Sequence, residues 1–169
     1  MNLSTRAARP DDAAAIVGIL NPIIEARLFT VFDTPLSVEA ERDYISMFPE
    51  RGVFQVAIRE SDQQIVGFQS MEPFARYTRA FDHVGVLGTY VALESRRQGV
   101  ATRLFDATVG EAIGKGYEKI FTYVRADNDA ALRTYLQHGF GIVGTAHRHA
   151  KLDGRYIDEI VIEKILRHV

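Results

Sequence analysis

Apolar and polar residues alternate along some segments of the chain and recur at helical spacing along others, and the two patterns predict different elements. Alternation predicts strands over residues 3–8, 52–59, 64–74, 83–93, 119–125, 142–151 and 155–166. Helical spacing of apolar residues predicts helices over residues 13–20, 100–113 and 131–136, and the Ser37 cap followed by Glu39 and Glu41 predicts a further helix over residues 37–48. This order of strands and helices indicates an α/β domain in which helices pack on the faces of one mixed sheet.

Turn residues mark where these elements end. Residues 60–63 are expected to close a hairpin, as is Asp153-Gly154, because Asp-Gly favours a two-residue turn. Pro22 and Pro35 bracket a stretch of irregular polar and aromatic residues, which we expect to lie outside the helices and to line a pocket. No linker, repeat or low-complexity segment divides the chain, so residues 1–169 are expected to fold as one domain.

The composition and net charge of the chain exclude several kinds of site and partner. The chain of 169 residues has no cysteine, which excludes disulfides, a thiolate nucleophile and zinc sites built on cysteine. A net charge of −2 and a pI of about 6.2 give no basic surface for a nucleic acid or an anionic membrane. No apolar run is long enough to cross a bilayer. We therefore expect a cytoplasmic protein without nucleic-acid or membrane partners and without a metal.

The segment from Tyr90 to Thr102 is the most informative one. A strand leads into a basic turn, and the turn opens a helix whose first backbone N–H groups have no partner within the helix. Such N–H groups, together with the helix dipole, bind phosphates. Gly99 and Ala101 allow an anion to approach closely, while Arg96 and Arg97 add positive charge. A solvated basic turn without a ligand has the same spacing, so the motif alone leaves both interpretations open.

Two other glycine-containing segments do not meet the requirements of nucleotide sites. Residues 110–116 are one residue short of the P-loop spacing, lack a Ser or Thr after Lys115, and end a predicted helix instead of opening one. Residues 85–88 lack the third glycine of the dinucleotide-binding motif and lie within a predicted strand. The sequence therefore predicts neither an ATP site nor an NAD site.

Two motifs carry a family resemblance. Arg96-Arg97-Gln98-Gly99-Val100-Ala101 resembles the Arg/Gln-x-x-Gly-x-Gly/Ala motif with which the GCN5-related N-acetyltransferase (GNAT) superfamily holds the pyrophosphate of acetyl-CoA. Residues 128–140 resemble the Asn-x-x-Ala…Tyr…Gly-Phe segment of the same superfamily, and residues 144–159 look like its phosphinothricin-type and ribosomal-protein-type branches. The resemblance implies a mostly antiparallel sheet of about seven strands, with helices on both faces and a splayed parallel pair at its centre.

The resemblance also implies roles for individual residues. By position, the backbone of Val91 and Leu93 would bind the pantetheine arm of acetyl-CoA, and Asn128 would contact the same arm. The residues that would hold the pyrophosphate are Arg96, Arg97, Gln98, Gly99, Val100, Ala101 and Thr102. Tyr135 matches the family's general acid, and a phenol with a pKa of about 10 can protonate a leaving thiolate with a pKa of about 8.5. The alternative interpretation is that Tyr135 is a core aromatic residue of an amphipathic helix and takes no part in catalysis.

The sequence leaves the general base open. Many relatives carry a glutamate near the end of the central strand, and this sequence has Gly88 at the corresponding position. A protonated amine must lose a proton before it attacks a thioester, so a base or a chain of water molecules is needed. Glu72, Asp82 and His83 lie on or beside strands that should border the acceptor cleft, and His83 has the best-matched intrinsic pKa. The alternative for each of these three residues is a structural role or a position in solvent, without a part in catalysis.

The last two predicted strands hold further candidates. His147 and His149 are expected to share one face of a strand, where they form a polar surface feature, because no third ligand at a suitable spacing completes a metal site. Tyr156, Asp158 and Glu159 would reach either a dimer contact or the acceptor pocket. The edge of the C-terminal strands allows a homodimer.

The resemblance implies an enzyme that transfers the acetyl group of acetyl-CoA directly to a primary amine of a small molecule, amino-acid-like or xenobiotic. Phe29, Phe32 and Tyr44 either wall the acceptor site of this enzyme or pack between helices. The alternative acceptor is a protein N-terminus or a lysine. A non-catalytic domain that binds acyl-CoA is a third alternative, since Gly88 removes a common base, but the presence of both Asn128 and Tyr135 argues for catalysis.

Overall fold

The computed structural model describes residues 1–166, and their strands form one seven-stranded sheet in the order β1-β2-β3-β4-β5-β7-β6. The strands are β1 (Leu3–Ala7), β2 (Val53–Arg59), β3 (Gln64–Pro73), β4 (Val84–Val91), β5 (Lys119–Arg125), β6 (Gly141–Leu152) and β7 (Arg155–Ile165). The helices are α1 (Ala13–Glu25), α2 (Val38–Ser46), α3 (Val100–Gly114) and α4 (Asp129–Gln137). Each of these elements was predicted from the sequence, with differences at the ends.

The strands β4 and β5 form the centre of the sheet. They are parallel, whereas every other pair of neighbouring strands is antiparallel. Their pairing covers only residues 84–86 of β4 and 119–121 of β5, and just beyond it the Thr122 hydroxyl donates a hydrogen bond to the carbonyl of Leu87. The two strands therefore separate toward the C-terminal end of β4. The predicted mixed sheet with a splayed parallel pair is confirmed.

Helices cover both faces of the sheet, and each face has its own apolar core. The α1 and α2 side packs on β2 and β3 through a cluster that includes Ile16, Ile24, Ile45, Phe54 and Phe68. The α3 and α4 side packs through a second cluster that includes Leu87, Phe105, Ile120, Tyr135, Phe140 and Ile162. The gap between β4 and β5 therefore has α1 and α2 on one face of the sheet and α3 and α4 on the other.

The end of α1 differs from the prediction. Pro22 lies inside the helix, which continues to Glu25, whereas an irregular stretch was expected to begin at Pro22. A proline inside a helix costs about 3 kcal/mol. Ile23 and Ile24 are almost completely buried in the α1 core, and burying two isoleucines contributes about 3–6 kcal/mol. Core packing therefore outweighs the local preference of the proline.

The hairpin between β6 and β7 turns at Asp153-Gly154, as predicted. Both residues have a positive φ, 49° and 77°, which a two-residue turn matching the twist of the strands requires. Tyr156, at the start of β7, lies under the guanidinium of Arg148, 4.0 Å from the ring centre. This end of the sheet is exposed and carries several charged side chains.

The prediction that His147 and His149 share one face of a strand is wrong. The register of β6 on β7 shifts around Arg148, which has a φ of 53°, and such a bulge breaks the alternation of side chains. His147 lies 2.9 Å from the carboxylate of Asp158, while His149 lies 3.9 Å from that of Glu159. Consecutive strand residues point to opposite faces, so the two histidines are on opposite sides of the sheet.

Two absences hold for residues 1–166. No group of three or more His, Cys, Asp or Glu side chains in this part of the chain could hold a metal ion. None of its helices combines the length and the apolar character needed to span a membrane.

Candidate active site

A cleft of about 340 Å³ lies between β4 and the first turns of α3 and α4. The predicted cofactor-binding residues that line it are Val91, Arg96, Arg97, Gly99, Val100, Ala101, Thr102 and Asn128, and Tyr135 lines it with them. Leu93 and Gln98 do not line it. Leu93 lies in a 3-10 turn after β4, and Gln98 donates its side-chain N–H to the Glu94 carbonyl (2.9 Å). The fold thus brings the two sequence motifs together at one site.

The turn before α3 is shaped to receive an anion. Gly99 is the N-cap of α3 with a φ of 85°, and among the described residues no side chain caps this 15-residue helix. The backbone N–H groups of its first turn are therefore free, and the helix dipole adds positive potential there. No atom lies within 4 Å of the place that a Cβ on Gly99 would take, and Arg96 and Arg97 line the same open space. These features fit the pyrophosphate of acetyl-CoA.

The backbone N–H and C=O groups of successive β4 residues point alternately toward β3 and toward β5. Ala92, just after the strand, donates its N–H to a β3 carbonyl, so even-numbered residues face β3. The Leu87 carbonyl accepts from a β5 hydroxyl, so odd-numbered residues face the gap. Because pairing with β5 ends at residue 86, the backbone groups of Thr89 and Val91 are available at the cleft. This free edge can accept an extended ligand as a sheet accepts a strand.

Tyr135 lies at the inner end of the cleft. Its hydroxyl donates a hydrogen bond to Oγ1 of Thr89 (2.9 Å), and Nε2 of Gln69 donates to the same oxygen (2.8 Å). Burial raises the pKa of the Tyr135 phenol well above its usual value. The phenol is therefore protonated at neutral pH, as a general acid must be. Gln69 is fully buried, and its Oε1 has no hydrogen-bond partner among residues 1–166.

The segment between α1 and α2 forms one wall of the cleft and is held by a buried arginine. Arg125 donates two hydrogen bonds to the carboxylate of Asp127 (2.8 and 2.7 Å). Its Nη1 donates to two backbone carbonyls of the segment, one of them that of Thr30 (3.0 Å). Phe29 of this segment lines the cleft and lies under the guanidinium of Arg96, 4.0 Å from the ring centre. The wall is thus fixed both to β5 and to the anion-binding turn.

Acidic and phenolic side chains meet on the α2 side of the sheet. Glu41 is only 5% exposed, and burial raises the pKa of its carboxyl to about 7. Burial also raises the pKa of Tyr44 and of Tyr90, the latter to about 12, and the charge of Glu41 adds to both increases. Tyr90 also lines the cleft and so connects this group to the site, whereas Glu41 and Tyr44 lie behind it and do not line the cleft themselves.

The candidates for the general base lie in different places. A Cβ on Gly88 would be 3.2 Å from the ring of Tyr90. This ring therefore occupies the space that the glutamate of many relatives would take at this position. Glu72 of β3 lies near the phenols on the α2 side, where its charge acts on Tyr44. His83 is exposed and precedes β4, at the end paired with β5, about 20 Å along the strand from residue 89. The fold brings neither His83 nor its neighbour Asp82 to the cleft.

Four residues of the site were not predicted from the sequence: Glu41, Gln69, Thr89 and Arg125. The hydrogen bonds that place the last three join residues 20 to 98 positions apart, so no local pattern reveals them. Glu41 does have a signal, because it occupies a position of α2 between the core-facing Val38 and Ile45. An acidic residue on the apolar side of a helix indicates a special role.

The buried Glu41 predicts a pH-dependent effect of substitution on stability. Its folded-state pKa of about 7 lies above the ordinary value of 4.5, so the penalty for burying its charge is absent below pH 4.5 and complete above pH 7. Glu41→Gln removes that penalty. At pH 8 we expect this variant to exceed the wild type in free energy of unfolding by up to about 3 kcal/mol, and at pH 4 to differ little.

Urea unfolding at the two pH values measures this difference. Glu39→Gln is the matched control, since Glu39 is an exposed glutamate of the same helix. A gain for Glu41→Gln that is the same at pH 4 and pH 8 would show that the carboxyl is not titrating between them.

Comparison with known proteins agrees with this geometry. A sequence model of the acetyltransferase (GNAT) family matches residues 23–140. YwnH of Bacillus subtilis (strain 168), named as a candidate phosphinothricin acetyltransferase, is 25% identical over 157 residues, which cover 92% of this chain and 94% of that protein. The likeness extends along nearly the whole length of both chains.

Solved structures share the fold. A phosphinothricin acetyltransferase from Sinorhizobium meliloti in complex with acetyl-CoA has a TM-score of 0.88 at 19% identity, over 98% of this chain and 89% of that one. A ribosomal-protein-alanine N-acetyltransferase from Brucella melitensis has a TM-score of 0.86 at 27% identity, over 96% and 99% of the two chains. With a family match over most of its length, the chain belongs to the acetyltransferase (GNAT) family and is an acetyl-CoA-dependent acyltransferase.

Proposed function

We propose that the protein transfers the acetyl group of acetyl-CoA directly to the primary amine of a small molecule, amino-acid-like or xenobiotic. One observation carries the proposal: the anion-binding turn at Gly99, the free edge of β4 and the Tyr135 hydroxyl all line one cleft. A thioester bound along β4 would have its pyrophosphate at α3 and its sulfur near a protonated phenol.

Acetyl-CoA would bind in the gap along β4. The backbone N–H groups at the start of α3, together with Arg96 and Arg97, would hold the pyrophosphate. The free backbone groups of Thr89 and Val91 would pair with the pantetheine amides, and an N–H of this edge would polarise the thioester carbonyl. Asn128, whose Oδ1 caps α4, also lines the cleft and would contact the arm from the other side.

The amine would attack the thioester carbon directly, and the chain has no cysteine that could form an acyl-thioester intermediate instead. The new N–C bond forms as the carbonyl becomes a tetrahedral oxyanion, and its collapse breaks the C–S bond. Tyr135 would give its proton to the leaving thiolate and regain one from the nitrogen. Burial raises the pKa of Tyr135, and desolvation in the same cleft raises that of the thiol, so the transfer remains feasible.

Acetyl-CoA-dependent release of thiol tests this function. The acceptors would be amino acids, phosphinothricin, methionine sulfoximine, polyamines, aminoglycosides and peptides with free N-termini. We expect at least one small amine to raise the release of thiol above the amine-free rate and to yield an acetylated product by mass spectrometry. Activity on peptides alone would contradict a small-molecule acceptor.

The second candidate is acetylation of a protein N-terminus or lysine. It is favoured by the 27% identity to the Brucella structure, which is named for a ribosomal protein substrate. Binding of acetyl-CoA without transfer to any acceptor, peptides included, would instead indicate a non-catalytic acyl-CoA-binding domain.

Arg97→Gln is expected to weaken the binding of acetyl-CoA by about 10–100-fold, because a charge-assisted contact to a phosphate contributes about 1.5–3 kcal/mol. The kcat at saturating acetyl-CoA should change little, since Arg97 lies at the anion-binding turn and not at the thioester. Isothermal titration calorimetry measures the Kd. Arg133→Gln makes the same change on the exposed side of α4 and is the control. An unchanged Kd would remove Arg97 from the phosphate site.

We extend the proposal to a homodimer. The edge strand β6 leaves backbone groups unpaired on one side and exposes Ile142 and Val143, each by more than half. Light scattering in solution should give twice the chain mass of 18.9 kDa. A monomer at micromolar concentration would contradict it.

A further inference from the structure

Helix α2 turns its apolar side to the sheet, and one charged residue lies on that side. Val38, Ile45 and Phe48 pack on the α1 core, and Glu41 falls between them in helical spacing. Glu41 is 95% buried by side-chain packing, yet its carboxylate makes no hydrogen bond and no ion pair with any residue that the structure describes. Burying an unpaired carboxylate is unfavourable, and the Glu41 oxygens are not among the fully enclosed unpaired atoms of the described residues, so they stay open to a partner from outside the chain.

The groups that face Glu41 are phenols and acids. Tyr44 of α2 and Tyr90 of β4 lie within range of its charge, and Glu72 of β3 lies near Tyr44. The 3-10 turn before α1 also packs on α2, but its Asp12 is held by Arg6 in a two-point ion pair. The residues that α1 turns toward α2 are apolar. Glu72 itself is paired with Arg76 (3.6 Å), and no cation of the described residues pairs with Glu41, so surroundings of this kind favour a cation from outside the chain.

Tyr90 lies between Glu41 and the cleft in which the thioester is proposed to bind. Its ring stacks on Phe68 at 4.9 Å and fills the space over Gly88, and the same residue lines the cleft beside Thr89. Aromatic faces attract ammonium ions, and phenol oxygens accept their hydrogen bonds. Tyr44 is 38% exposed and Glu41 only 5%, so an amine that enters from the α2 side would meet the Tyr44 ring before the carboxylate.

We propose that Glu41, with the phenols of Tyr44 and Tyr90, binds the acceptor amine as its ammonium ion, and that Glu41 takes the proton this amine must lose. The inference rests on the proposed function and names the proton acceptor that it leaves open. One N–H bond of R–NH3+ breaks, its electron pair stays on nitrogen for attack on the thioester carbon, and the proton forms an O–H bond on Glu41. Glu41 then returns this proton to solvent after the products leave.

The ionisation of Glu41 suits the role. A carboxyl with a pKa of about 7 accepts a proton from an amine near neutral pH more readily than an ordinary glutamate does. The amine, held beside the carboxylate, would in turn favour the charged form of Glu41 until the proton moves. Activity should therefore rise with pH through a step near the pKa of Glu41 and then level off.

The test compares wild type, Glu41→Gln and Glu39→Gln across pH 5.5–9.5, using the panel amine with the highest kcat/KM. Glu39 is exposed on the same helix, so Glu39→Gln controls for the change of charge. At pH 7.5 we expect Glu41→Gln to lose about 100-fold in kcat/KM for the amine, and the step near pH 7 to disappear. The Kd of acetyl-CoA should stay within twofold of the wild-type value.

Two features separate proton transfer from a structural role. The deficit of Glu41→Gln should shrink as the pH approaches the amine's own pKa of about 10. It should also shrink for a fluorinated analogue of the same amine, whose nitrogen is already unprotonated at pH 7.5. A structural defect would lower activity equally at every pH and for both amines, and that result would overturn the proposal.

The outcomes also separate this inference from the function on which it rests. Amine-dependent release of thiol by Glu41→Gln at the wild-type rate, with the wild-type pH profile, would refute Glu41 and leave the acetyltransferase function standing. No amine-dependent release by the wild type itself would overturn the proposed function and the inference with it. Because Glu41→Gln removes an unpaired buried charge, it should fold at least as well as the wild type.

Discussion

Tyr135→Phe is expected to lower kcat by about 100–1,000-fold while the Kd of acetyl-CoA stays within twofold of the wild-type value. The substitution removes one oxygen and leaves the ring, which packs against Phe105 (5.3 Å) and Phe140 (5.1 Å), in place. Without the phenol, the leaving thiolate has no adjacent proton donor, so the loss falls on the step that breaks the C–S bond. Steady-state release of thiol and calorimetry with acetyl-CoA measure the two quantities.

The Tyr135→Phe variant also leaves Thr89 with one hydrogen bond fewer. Gln69 still donates to the Thr89 hydroxyl (2.8 Å), so we expect the inner end of the cleft to keep its shape. Tyr77→Phe, the same change at a highly exposed tyrosine, is the matched control and should leave both kcat and the Kd of acetyl-CoA unchanged. A kcat for Tyr135→Phe close to that of the control would remove Tyr135 from the mechanism.

Arg125→Met is expected to lower the free energy of unfolding by about 3 kcal/mol and to raise the KM for the acceptor. Arg125 is 7% exposed, and its Nη1 donates to the carbonyls of Arg27 (2.9 Å) and Thr30 (3.0 Å). Methionine fills most of the same volume but leaves these carbonyls and Asp127 without their donor. The wall between α1 and α2 then loses its attachment to β5.

Urea unfolding and steady-state kinetics of Arg125→Met test the two effects. The KM for acetyl-CoA should change less than that for the amine, because Arg125 reaches the anion-binding turn only indirectly, through the contact of Phe29 with Arg96. Arg133→Met, at an exposed position of α4, is the control. If the unfolding midpoint equals that of the control, the hydrogen bonds from Arg125 do not hold this segment.

Much of the cofactor half of the site was predictable because it is local in the sequence. A strand, a basic turn with Gly99 and a helix follow one another directly, so the chain needs no distant partner to present free N–H groups and two arginines together. Tyr135 was predictable from its motif, although its role as the acid stays a prediction. The order of strands and helices was readable for the same reason, since each element carries its own pattern of apolar residues.

Local preference failed where packing or register decided the outcome. Pro22 lies inside α1 because Ile23 and Ile24 are buried beside it. The bulge at Arg148 separates His147 from His149, and a bulge leaves no reliable mark in the pattern of alternation.

The acceptor side of the site shows where the sequence stops being sufficient. The sequence by itself determined the family, the order of elements and the turn that receives the pyrophosphate, because these depend on neighbouring residues. Only the tertiary structure placed Arg125 against the segment after α1, joined Gln69 and Thr89 to Tyr135, and brought Glu41 beside Tyr90. These contacts join residues far apart in the chain, and their strength comes from burial, which exists only once the sheet and both layers of helices have assembled.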